Sequence, residues 1–306
     1  MRVIVVGLGV QGNKRKHFSG SDFIASVDPL NVNANYRRIE EVPLNEYDAV
    51  LACIPDEPKY EIVKYCLENK KHVLVEKPLW AIDDQHIIEL EQLALKNKVL
   101  CYTAYNHRFE PHFIKMRDLI ASGELGKIYS CRMFYGNGTA RLVRESNWRD
   151  QGDGVLPDLG SHLLDTCRFW FGNNLDSFSL ASYNRFENQA PDHVVVQSEK
   201  SFPRINLEMT LCMWKNHFTC DILAEKGTAH IESLCKWGPS IFTHRTRILP
   251  SGRPNEHIET IVKSDPTWEA EYKYFKELIN KGTPTDLSTD YWLQKNLRIM
   301  GETINK

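Results

Sequence analysis

Val3-Ile4-Val5-Val6-Gly7-Leu8-Gly9-Val10-Gln11-Gly12 stands almost at the start of the chain, and its reading decides the fold. Four apolar residues make a short strand, and G-x-G-x-x-G follows at once. Glycine is needed at each position for its own reason. Gly7 lets the chain turn tightly, Gly9 lets the backbone approach a pyrophosphate, and Gly12 lets the following helix pack close to the strand. The start of that helix, at Val10 and Gln11, offers N–H groups and a positive dipole end to phosphates. A second strand, Phe23-Ile24-Ala25-Ser26-Val27, ends in Asp28, 21 residues after Gly7. A carboxylate there is placed to bond the adenine-side ribose hydroxyls of NAD. Asp28 would repel the 2′-phosphate of NADP. Arg37-Arg38 a few residues on could hold such a phosphate, so NAD is expected and NADP stays open.

Working outward, short apolar strands alternate with amphipathic helical stretches up to about residue 120. Further strands are read at Ala49–Cys53, His72–Val75 and Val99–Tyr102, and helices at Tyr60–Asn69 and Asp83–Lys96. Ile87, Leu90 and Ala94 recur at helical spacing in the second helix. This alternation predicts a doubly wound parallel sheet. The stretch from Asp28 to Tyr47 is too short and polar for a full helix. Beyond Lys127 the period changes to two: Ile205, Leu207, Met209, Leu211 and Met213 alternate with more polar neighbours. That pattern predicts an open, mainly antiparallel sheet with two different faces. Phe178–Arg185, His193–Ser198, Thr219–Ala224 and Ser240–Ile248 read as its other strands, and helices return at Trp268–Lys281 and Tyr291–Asn305. The expected organisation is a Rossmann domain over residues 1–120 and an α+β domain over residues 121–306, the latter for substrate and oligomerisation.

The 306 residues carry a formal net charge of -2, with 25% charged and 42% hydrophobic residues. That is ordinary for a globular chain. It supplies no basic field for nucleic acid or anionic lipid, and no apolar run approaches the ~20 residues of a membrane span. No secretory leader is read at Met1. Eight scattered cysteines without a C-x-x-C pair predict reduced thiols and a cytoplasmic protein. The eleven histidines lack metal-ligand spacing, and no metal is expected.

The segment His72-Val73-Leu74-Val75-Glu76-Lys77-Pro78 completes a set. With the glycine motif near the N-terminus, a strand ending in Glu-Lys-Pro resembles the Gfo/Idh/MocA oxidoreductases. Pro55-Asp56, Tyr105-Asn106-His107-Arg108-Phe109, Gly123-Glu124-Leu125-Gly126-Lys127, Trp148-Arg149 and Asp158-Leu159-Gly160-Ser161-His162 follow in family order. Together they cover most of residues 1–172. The chain departs from the family where His often stands four residues after the strand-end proline, because here it is Lys59. It departs again at Asp153, in place of a middle glycine. The resemblance implies hydride transfer between a nicotinamide and a sugar, cyclitol or sugar nucleotide. It also implies dimers or tetramers built through the second sheet.

Asp158, His162 and Asp165 lie at offsets of four and seven, which share one face of a helix. A carboxylate beside an imidazole fixes its tautomer and raises its basicity. Standing alone, the segment is read rather as an Asp N-cap and a structural histidine. With the dinucleotide motif and Lys77, it becomes a catalytic set of Lys77, Asp158 and His162. Gly7, Gly9, Val10, Gln11, Gly12, Asp28, Pro55, Glu76 and Lys77 are assigned to the cofactor, and Tyr105, Arg108, Arg149 and Asp165 to the substrate. The alternative is a non-catalytic dinucleotide-sensing regulator of the same fold, which would not need that catalytic set.

Overall fold

The computed structural model describes residues 1–81, 83–146, 149–175, 177–199 and 203–305, and Trp148 lies outside them. By compactness the chain divides into two units. One is Met1–Asn106 with Thr267–Gln294, and the other is His107–Pro266 with Lys295–Lys306.

The first unit is built on β1 (Val3–Val6), β2 (Phe23–Val27), β3 (Ala49–Ala52), β4 (His72–Glu76) and β5 (Cys101–Ala104). Helices α1 (Val10–Ser19), α2 (Lys59–Glu68) and α3 (Asp84–Asn97) connect them. The strands pair in parallel in the order β2-β1-β3-β4-β5. Every residue of β1 and β3 is buried, because a parallel sheet has both faces covered. Ile4 and Val6 share a core with Val63, Leu67 and Leu90 of α2 and α3, while Val3 and Val5 turn to the opposite core. β2 and β3 flank β1 on either side, so a crevice opens at the carboxyl ends of β1 and β3. The link from β2 to β3 holds no α-helix, just a bridge of Tyr36 to Val27 and the 3-10 turn Ile39–Glu41, in keeping with its short polar sequence.

The second unit begins with α4 (Pro111–Ala121), β6 (Ile128–Gly136) and α5 (Ala140–Arg144). A π-helical turn, Leu156–Gly160, then runs into α6 (Ser161–Phe171). β7 (Phe178–Asn184), β8 (His193–Ser198), β9 (Arg204–Thr210), β10 (His217–Ala224), β11 (Gly227–Glu232), β12 (Ser240–Thr246) and β13 (Asn255–Ile261) follow. The eight strands lie in the order β13-β12-β11-β10-β6-β9-β8-β7, antiparallel except for the parallel pair β6 and β9. Phe113 of α4 packs its ring on Trp170 of α6 at 5.2 Å and on Phe218 of β10 at 5.0 Å. Those contacts bring the apolar face of the sheet against the two helices.

Two helices close the chain, α7 (Thr267–Asn280) and α8 (Ser288–Ile304). α7 packs beside α1, and its Tyr272 and Phe275 join Val3 and Val5 in the core of the first unit. The division by compactness falls after Asn106, with residues 267–294 in the first unit, where the sequence reading set a boundary near residue 120. The reason is aromatic: Phe113 finds its partners in the second unit, and Tyr272 and Phe275 find theirs in the first. No helix among the described residues is long and apolar enough to cross a membrane. All eight cysteines are free thiols.

Candidate active site

In the first unit the glycines divide by task. Gly7 has φ +88°, a conformation that glycine reaches without strain. A Cβ there would stand 2.2 Å from the Cys53 carbonyl oxygen, and one on Gly12 would stand 1.8 Å from that of Gly7. Gly9 is different, because a Cβ there would meet nothing within 4 Å. Gly9 caps α1 without a side-chain hydrogen bond, and Val10 beside it is 75% exposed. The N–H groups of the first turn thus face open space. That donor set fits the pyrophosphate of the expected dinucleotide.

Asp28 Oδ2 accepts the Leu8 N–H at 2.7 Å, and its Oδ1 accepts those of Leu30 and Asn31 at 2.9 Å. Partial burial alone would push this carboxyl up. The three N–H groups outweigh it and hold the group below the usual carboxylate range. Arg37 Nη1 donates to the Asn31 carbonyl at 2.7 Å, and Arg38 pairs with Glu41 at 3.5 Å. Both arginines are thus engaged with this loop and the turn behind it.

Pro55 is exposed just beyond β3. Glu76, expected at the cofactor, has another partner: its Oε1 accepts from Arg15 Nε at 2.7 Å. Arg15 also donates to Glu271 at 2.6 Å, and the Trp268 ring lies 4.4 Å from the guanidinium. A buried guanidinium needs paired charge, so the Glu76 carboxylate serves Arg15. Lys77 is half-buried and precedes a cis peptide bond to Pro78. Behind it Lys59, buried, donates to Asp56 Oδ1 at 2.5 Å and to the Pro78 carbonyl at 2.6 Å.

In the second unit Asp158 sits in the π turn, while His162 and Asp165 lie in α6. A π turn spaces residues more widely than an α turn, and Asp158 stays half-exposed where His162 is 9% exposed and Asp165 1%. Arg149 Nη2 donates to Asp158 Oδ2 at 3.4 Å. The His162 imidazole stacks on that of His107 at 3.9 Å and 16°. The Tyr135 ring lies 5.4 Å from His107 and 6.0 Å from His162. Lys236 brings Nζ to 3.5 Å from the Tyr135 hydroxyl. Burial pushes the Lys236 amine down, and Asp265, Glu110 and Asp158 oppose that push.

Two residues expected at the substrate are placed elsewhere. Tyr105 is buried and its hydroxyl donates to Asp290 at 2.8 Å, so it is a core residue. Asp165 is buried and accepts a two-pronged bond from Arg108, with Nε at 3.0 and 3.1 Å and Nη2 at 2.5 Å. Burial pushes the Asp165 carboxyl up, and the Arg108 guanidinium opposes it. Asp165 therefore fixes Arg108. His107 and Lys236 escaped sequence reasoning. His107 sits between Asn106 and Arg108 with no motif of its own, and Lys236 lies in a 3-10 turn that carries none. Among the described residues, no group of three or more His, Cys, Asp and Glu side chains is placed to hold a metal ion.

Comparison with known proteins follows this geometry. Residues 19–105 match the family model described as oxidoreductase family, NAD-binding Rossmann fold, and residues 113–230 match that of the GFO/IDH/MocA C-terminal domain. An uncharacterized oxidoreductase of Schizosaccharomyces pombe is 34% identical over 142 residues, 45% of this chain and 37% of the relative. The scyllo-inositol 2-dehydrogenase (NADP+) of Bacillus subtilis is 30% identical over 128 residues, 41% of this chain and 35% of the relative. The matched stretch spans well under half the length of these relatives. Among solved structures, levoglucosan dehydrogenase in complex with NADH and L-sorbose shares the fold, with TM-score 0.85 and 15% identity. That alignment covers 100% of this chain and 97% of the other.

Proposed function

We propose, since the chain belongs to the Gfo/Idh/MocA oxidoreductase family, that it transfers a hydride between a nicotinamide cofactor and a carbinol or carbonyl carbon of a sugar, cyclitol or sugar nucleotide. The open approach to Gly9 at the start of α1 is the observation that carries this reading. When bound, the nicotinamide supplies the hydride acceptor or donor at its C4. Gly9, Val10 and Gln11 bind the pyrophosphate through main-chain N–H groups, and Asp28 receives the adenine-side ribose. The engaged Arg37 and Arg38 favour NAD over NADP. Lys77 donates a hydrogen bond to the reacting oxygen and stabilises the charge that develops there. His162 takes the hydroxyl proton in oxidation and returns it in reduction. His107 keeps that imidazole in one plane. Arg149, shared with Asp158, and Arg108, braced by Asp165, bind substrate hydroxyls or an anionic group. The inositol dehydrogenase named above supports the polyol class.

Titration of the purified protein with NADH and NADPH, read by nicotinamide fluorescence, tests the reading. Micromolar binding of NADH, followed by turnover in a panel of polyols, sugars and sugar nucleotides, is expected. A folded protein that binds neither cofactor would overturn it in favour of a regulator that binds a partner protein.

A further inference from the structure

We propose that Lys59 is a positioning residue for Lys77, holding in place the turn that carries it. This rests on the role given to Lys77 above. Lys59 opens α2 and is 2% exposed. Its ammonium donates to the carbonyl of Pro78, the residue directly after Lys77, at 2.6 Å, and to Asp56 at 2.5 Å. On the other side of Lys77, the Glu76 carboxylate is held by Arg15 at 2.7 Å. Lys77 thus stands between two clamped neighbours, one gripped by its side chain and the other by its main-chain carbonyl.

Burial of an ammonium is costly unless it is paired and hydrogen-bonded. Desolvation pushes the Lys59 amine down, Asp56 pulls it back up, and the nearby charge of Lys77 adds to the downward push. A methionine of similar length would fill the same space without that cost, and replacing buried charge by apolar groups is often neutral for stability. What methionine cannot do is donate to the Pro78 carbonyl. Asp56 is nearly half-exposed, at 46%, so the ammonium is tethered from the rim while its other bond reaches the turn.

The test uses the full chain with Lys59→Met and Asp56→Asn. Reductive methylation of Lys77, followed by peptide mass spectrometry with and without NADH, reports its placement without any substrate. In Lys59→Met, folded by thermal unfolding, the Lys77 labelling rate changes by more than about threefold, NADH affinity stays within about threefold, and kcat falls ~10- to 100-fold at near-constant KM. Asp56→Asn shifts labelling in the same direction by less, and decides the matter should Lys59→Met not fold. Unchanged Lys77 labelling in the folded variant, or equal losses in NADH affinity, KM and kcat, would overturn the proposal. A wild type that turns over nothing would defeat the oxidoreductase reading, while the labelling arm would still decide the role of Lys59.

Discussion

At the residue scale the glycine motif separates folding from function. Gly12 and Gly9 belong to one motif, yet a Cβ meets a carbonyl at 1.8 Å at the first and nothing within 4 Å at the second. Gly12→Ala is expected to destabilise the chain by several kcal/mol, on the order of an overpacked core site. Gly9→Ala is expected to melt as wild type but to lose NADH affinity, because its methyl occupies the approach to the first-turn N–H groups. Melting curves and fluorescence titration of the two variants check the contrast. Asp28 gives a pH signature. Its folded value is depressed, so its stabilisation is present above the unfolded value, ~3.9, and is lost as pH falls through the folded one. Asp28→Asn turns an amide NH2 toward backbone N–H groups, which costs ~1–3 kcal/mol at neutral pH. The gap to wild type in urea unfolding is expected to close below about pH 4. A gap independent of pH would show that the carboxylate charge contributes nothing.

At the element scale, regular apolar spacing was legible and mixed spacing was not. β1 and β3 are buried on both faces, and α3 repeats Ile87, Leu90 and Ala94 on one. Their patterns follow from local geometry, so one sequence shows them. β6 stands at the centre of the second sheet but went unread, because a bulge brings Ile128 to the face of Cys131, Met133 and Tyr135 while Phe134 lies on the other, and the alternation blurs. β13 lies at the edge, and its Asn255–Ile261 run is too polar to show an inward face. Asp153 is accommodated by another element. Gly301 of α8 leaves room where a Cβ would stand 2.2 Å from the Asp153 carboxylate, and Asn305 donates to that group at 2.9 Å. α7 makes its own prediction through Glu271, fully buried against Arg15. Glu271→Gln weakens the pairing of a buried guanidinium and is expected to cost ~3–5 kcal/mol. Chemical denaturation of the variant measures this, and a loss within experimental error would show that Glu76 alone suffices for Arg15.

For the whole molecule, the open face of the second sheet suggests a homo-oligomer. Leu223 on β10 and Ile258 on β13 are 51% and 56% exposed there, among polar neighbours that suit an interface core with a polar rim. A dimer or tetramer is expected in size-exclusion chromatography with light scattering, and Leu223→Asp is expected to shift it toward monomer. A wild type that elutes as a monomer at all concentrations would remove the prediction. The sequence alone determined the parallel sheet, the mainly antiparallel character of the second one and the glycine turn of the dinucleotide cradle. These follow from periodicity and turn chemistry, which act over a few residues. Only the tertiary structure decided which polar groups hold one another. Arg15 meets Glu271 across 256 positions, Arg108 takes up Asp165 across 57, and the Tyr105 hydroxyl finds Asp290 at a separation of 185. A buried charge or hydroxyl must find a partner, yet nothing in its neighbours along the chain says which. That choice is made by packing, when distant elements close around it.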